Sequence, residues 1–166
     1  MEKTKAMDVL KQAILLEIKG KAFYESAARE SKIDGIRQVF ETMAEEEKGH
    51  IDVLTRQLKS VGRSGKFEPA SFTQMAEDIT PQILTEEIRK NAADAAYEAA
   101  AIGAAMDMED KAVKFYGNRA QETDDPMERE MFQWLSDWEK THLTLLSGLD
   151  KQLQEEIWND QSFWPF

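Results

Sequence analysis

The sequence predicts an all-α fold: a four-helix bundle made of two αα-hairpins joined by a long crossover, with a short C-terminal helical tail. Three observations predict it. Apolar residues recur at helical spacing through four long segments. The stretch richest in turn formers lies mid-chain, at residues 63–80. The last two segments also repeat the first two at a constant offset. Composition agrees, since strong helix formers dominate and there are four prolines in 166 residues, a length suited to one domain spanning 1–166 with a real core.

The first helix is expected over about residues 4–30, with Leu10, Ile14, Glu17, Tyr24, Ala27 and Ala28 on one face. The second is expected from Asp34, as N-cap, to Val61, with Gly62 as its stop signal. Its inner stripe reads Ile36, Phe40, Met43, Glu47, His50, Leu54 and Leu58. After the crossover, Thr80-Pro81 resembles an N-cap followed by proline at the first helical position. The helical pattern from there runs to about Gln121, with a break near Asn91 and an inner stripe of Ile102, Met106, Glu109, Val113, Tyr116 and Ala120. The fourth helix is expected to start near Asp125-Pro126 and to carry Phe132, Leu135, Glu139, His142, Leu146 and Leu149 inward. Residues 150–166 are read as a tail with a further short helical piece. Its end, Phe163-Trp164-Pro165-Phe166, is expected to cover a groove or to join a dimer interface. Short loops inside each hairpin make the paired helices antiparallel, and the long connection brings the hairpins side by side.

A formal charge of -11 speaks against nucleic acid and anionic membrane surfaces, which need clustered Lys and Arg. There is no cysteine, so disulfides, thiolate nucleophiles and iron–sulfur or rubredoxin-type centres are excluded within these residues. The opening MEKTKAMDVL has no apolar signal-peptide core, and no apolar run is long enough to span a membrane, so a cytoplasmic location is the expectation.

The repeat carries the chemistry. Glu17, Phe23, Tyr24, Phe40, Glu47 and His50 recur as Glu109, Phe115, Tyr116, Phe132, Glu139 and His142, all at an offset of 92 residues. The chain holds two histidines, each three residues after a glutamate. Positions i and i+3 share a helix face, so each Glu-x-x-His pair presents an oxygen and a nitrogen to one point. A single such pair is weak, because surface pairs of this kind are common in helices. The recurrence of both pairs and both lone glutamates on inward stripes is not. Four buried carboxylates would repel one another and be forced to take up protons. Two divalent cations balance them, and a set of four carboxylates and two imidazoles suits Fe or Mn. The expected metal-ligating and catalytic residues are therefore Glu17, Glu47, His50, Glu109, Glu139 and His142. Tyr24 and Tyr116, two turns after Glu17 and Glu109, return to the inner face and are expected to hydrogen-bond a ligating carboxylate across the bundle. Met43, Met106, Trp134 and Trp138 read as packing residues, and Glu45 and Glu46 as solvated face.

The segments ILLEIKGKAFYESAA…FETMAEEEKGH and AAMDMEDKAVKFYGNRA…FQWLSDWEKTH resemble the two halves of the rubrerythrin-like branch of the ferritin-like superfamily, over about residues 8–150. The resemblance implies that those six residues hold two iron ions, with Glu47 and Glu139 able to bridge. Rubrerythrins carry a further carboxylate one turn after the third-helix glutamate, where this chain has Ala112. Bacterioferritins share the ligand set but place a haem-binding methionine after the second-helix glutamate. Lys48 stands there, so no haem is expected. The expected function is a di-iron oxidoreductase of peroxidase or ferroxidase type, reacting with hydrogen peroxide or dioxygen. Without cysteine it needs an external electron-donor protein, and a homodimer is expected. A ferroxidase feeding a storage cage and a non-catalytic metal-binding helical module stand as alternatives.

Overall fold

The computed structural model describes residues 2–69, 86, 88, 90, 91 and 95–159. Among the described residues, four long helices make up the bundle: α1 (Glu2–Glu30), α2 (Asp34–Ser64), α3 (Ala96–Glu122) and α4 (Pro126–Asn159). Residues 31–33 join α1 to α2 and residues 123–125 join α3 to α4, connections so short that each pair must fold back antiparallel. None of the described helices is long and apolar enough to cross a membrane.

Helix ends depart from the sequence pattern in instructive ways. Asp34 is not the N-cap of α2. Ile33 holds that position with no side-chain cap, and Asp34 pairs with Arg37 at 2.8 Å. The connection is satisfied from the other hairpin instead: the fully buried Glu98 of α3 accepts from Ser31 Oγ (3.0 Å), Lys32 N (2.6 Å) and Ile33 N (3.3 Å). Gly62 does not stop α2. The helix continues to Ser64, and Gly65 ends it at φ 73°, a left-handed conformation suited to glycine, with its N–H bonded to Val61 O at 2.9 Å. Asp125 does cap α4, its Oδ1 accepting from Met127 N (2.9 Å) and Glu128 N (3.1 Å). No separate helical piece begins at Asp150. α4 runs unbroken to Asn159 because Leu146, Leu149 and Leu153 continue one buried stripe. Residues 86, 88, 90 and 91 are helical and Ala95 is a turn, so the expected break falls before Ala96. The Thr80-Pro81 start, most of the crossover, and the Phe163–Phe166 end lie outside the described residues.

Two apolar clusters divide the core. One gathers Tyr24, Ile36, Phe40, Met43, Ile102 and Leu146. The other gathers Leu10, Leu54, Tyr116, Phe132 and Leu135. On every helix the expected metal-ligating residues fall between members of the two clusters, as Glu47 and His50 fall between Met43 and Leu54. The polar centre is thus a layer sandwiched in apolar packing. The halves repeat in space as well. Tyr24 stacks on Phe40 at 6.0 Å between ring centroids, and Tyr116 on Phe132 at 5.9 Å.

Candidate metal centre

Each helix sends its polar residues into that layer because the apolar stripe on either side of them must face the core. α1 supplies Glu17, α2 Glu47 and His50, α3 Glu109, and α4 Glu139 and His142. All six are buried. The structure brings them together as two overlapping groups, Glu17/Glu47/His50/Glu139 and Glu47/Glu109/Glu139/His142, whose ligand atoms lie within 4.8 Å of one another in each group. Glu47 and Glu139 belong to both.

The distances show how they are shared. His50 Nδ1 lies 3.0 Å from Glu17 Oε2, 3.1 Å from Glu139 Oε1 and 3.6 Å from Glu47 Oε2. His142 Nδ1 lies 3.0 Å from Glu139 Oε2, 3.4 Å from Glu109 Oε1 and 3.7 Å from Glu47 Oε1. Each of the two central carboxylates turns one oxygen toward each histidine. The lone glutamates are each held from the opposite hairpin: Tyr24 donates to Glu109 Oε1 and Tyr116 to Glu17 Oε1. Burial, and then Glu109 for Tyr24 and Glu17 for Tyr116, pushes both phenols well above their ordinary range, so they remain protonated donors.

The electrostatics describe a charge problem. Burial, and then the neighbouring Glu17 and Glu139, pushes Glu47 well above the ordinary carboxyl range. Burial also raises Glu109, to about 7. Burial opposes charge on both imidazoles, yet the surrounding carboxylates outweigh it and raise both. At Glu139 burial also opposes charge, but His50 and His142 overcome it and hold the carboxyl well below its usual range. Both Glu139 oxygens and His142 Nδ1 are buried without a hydrogen-bond partner among the described residues. Such groups are costly unless something else binds them. The donor set fits two divalent cations: four carboxylates balance their charge, and nitrogen with oxygen donors suits iron or manganese. Both Glu139 oxygens and His142 Nδ1 would then have a partner.

One residue was not legible in the pattern. Glu46, read as solvated face, is half-buried, and its Oε2 lies 2.5 Å from His142 Nε2. Nothing in the repeat marks it, because position 46 corresponds to Trp138 in the second half. Trp138 is itself buried and stands edge-on to His50, with 5.4 Å between ring centroids. Gly20 backs Glu47: a Cβ there would lie 3.4 Å from the Glu47 carboxyl carbon.

The family model for rubrerythrin matches residues 8–150, which includes all six buried donors. This chain belongs to the rubrerythrin family. A hypothetical protein from Pyrococcus furiosus, 22% identical, has a similar fold, with a TM-score of 0.62 over 90% of each chain. No curated protein matches the chain. Within this rubrerythrin-family member, Lys48 is exposed and Ala112 is buried beside the centre, in the wall of a recess shared with Gly20, Glu17, Glu47, Glu109 and Glu139.

Proposed function

We propose that the centre binds two iron ions and acts as a di-iron oxidoreductase on hydrogen peroxide or dioxygen. The observation that carries this reading is the pair of overlapping donor groups with Glu47 and Glu139 common to both. Glu17, Glu47, His50 and Glu139 would hold one ion, and Glu47, Glu109, Glu139 and His142 the other. When bound, two ferrous ions supply the two electrons that, with two protons, reduce one peroxide to two waters.

The chain's own contribution is placement. Tyr24 and Tyr116 fix the orientation of the terminal carboxylates of Glu109 and Glu17, while Glu47 and Glu139 take one position between the two histidines. The apolar clusters on both sides exclude bulk water. The recess bordered by Leu16, Gly20, Met108 and Ala112 measures about 10 Å³, room for about one water-sized molecule. A groove of about 580 Å³ between α1 and α2 is lined by Lys21, Glu25, Arg29, Arg37 and Glu41 and includes none of the six donors. Electrons to restore the ferrous state would come from a separate small redox protein, and the functional unit would be a homodimer.

Metal-free protein supplied anaerobically with Fe(II) should take up two ions per chain, and stopped-flow mixing should show faster oxidation by peroxide than by dioxygen. Glu109→Ala and His142→Ala should each abolish that reaction. Metal content unchanged in both variants would refute the assignment.

A further inference from the structure

The repeat is broken behind the histidines. The offset that superimposes the six donors pairs Glu46 of α2 with Trp138 of α4, so the two imidazoles have different outer neighbours. Behind His142, Glu46 Oε2 lies 2.5 Å from Nε2, and the Trp138 indole nitrogen lies 3.4 Å from Glu46 Oε2 and 3.2 Å from His142 Nε2. An indole N–H can only donate, and a carboxylate can accept twice. The consistent arrangement has Glu46 accepting from both His142 Nε2–H and Trp138 Nε1–H. That holds one His142 proton on Nε2, so that when a metal replaces the other, the Nδ1 lone pair faces Glu47, Glu109 and Glu139. Behind His50 the described residues offer no such acceptor. Its Nε2 is buried without a hydrogen-bond partner among the described residues, and the rings of Trp134 and Trp138 stand edge-on to it, each at 5.4 Å between centroids.

We infer that the two metal positions are inequivalent, and that Glu46, acting through His142 as a positioning residue, makes the Glu109/His142 position the tighter one and the first to fill. This rests on the two-metal reading above. The physical basis is general: a carboxylate behind a ligating imidazole fixes its tautomer and ring orientation and raises its basicity, and losing such a partner weakens metal binding by about 10- to 100-fold. His50 lacks that support, so its position is the weaker one.

Calorimetric titration of metal-free protein with Mn(II) tests this, with no dependence on turnover. The native chain should bind in two steps, the first about 10- to 100-fold tighter than the second. Charge repulsion between two bound ions also separates the steps, so variants decide. Glu46→Gln keeps an acceptor but loses the charge and should narrow the gap. Glu46→Ala should narrow it further, with the second step unchanged in both. His142→Ala should remove the tight step and His50→Ala the weak one. In the metal-free protein, the ring N–H proton resonance of His142 should lie far downfield and disappear in Glu46→Ala, a readout that does not need metal. The Glu46 side chain is 19% exposed at the edge of the bundle, and circular dichroism should show both variants folded. Equal gaps in the native chain and both Glu46 variants, or a tight step that survives His142→Ala, would overturn the inference while leaving two-metal binding intact. Failure of the native chain to bind any Mn(II) or Fe(II) would overturn both.

Discussion

Replacing Glu109 by glutamine should make the metal-free protein more stable and the metal-supplied protein less so. Glu109 is 2% exposed, and burial raises its carboxyl from an ordinary 4.5 to about 7. Below pH 4.5 folded and unfolded chains both keep the proton, and the residue imposes no penalty. Between pH 4.5 and 7 the unfolded chain releases the proton while the folded chain retains it, so stability falls as pH rises, by about 1.4 kcal/mol per pH unit. Above pH 7 both forms are ionised, and the accumulated penalty levels at about 3 kcal/mol. Glutamine has nearly the same shape, never ionises, and still offers the Tyr24 hydroxyl an acceptor. Urea unfolding in the presence of a chelator should therefore give equal stability for native and Glu109→Gln protein near pH 4.5. The variant should be more stable by about 3 kcal/mol at pH 8. With divalent metal added the order should reverse, because binding to the native state stabilises it and the amide is a poor ligand. A variant less stable than the native chain at pH 8 without metal, or a difference independent of pH, would refute the reasoning.

Other predictions follow from the same geometry. Tyr24→Phe and Tyr116→Phe remove the donors to Glu109 and Glu17. Each should weaken metal binding by about 10- to 100-fold in titration while leaving two ions per chain at saturation. Phe132→Ala empties a fully buried site beside Tyr116 and should cost about 3–5 kcal/mol in urea unfolding, with Phe40→Ala, its counterpart beside Tyr24, costing a similar amount. Glu98→Ala strips the α1–α2 connection of its acceptor. It should lower stability by about 1–3 kcal/mol without changing metal stoichiometry, since it belongs to neither donor group.

Much of this was open to reading along the chain. Helical period alone placed Glu47, His50, Glu139 and His142 on stripes that also carry Phe40, Leu54, Phe132 and Leu146, and buried stripes must meet. The duplication supplied the remaining selectivity: a constant offset singled out Glu17 and Glu109 from 32 acidic residues. Helix ends were harder. Gly62 and Gly65 are both stop signals in the pattern, and the structure places the left-handed cap at Gly65.

What the sequence determined by itself was the set of inward faces, because periodicity is a property of one helix and needs no neighbour. What only the tertiary structure decided was who meets whom across helices. Tyr24 reaching Glu109, Glu98 serving the opposite connection, and Glu46 standing behind His142 all depend on the relative height and rotation of two helices. A side chain at the boundary of a stripe, such as Glu46, has the same spacing as a solvated one. Its 2.5 Å contact exists because α2 and α4 come together at that level, and no single-helix pattern encodes that meeting.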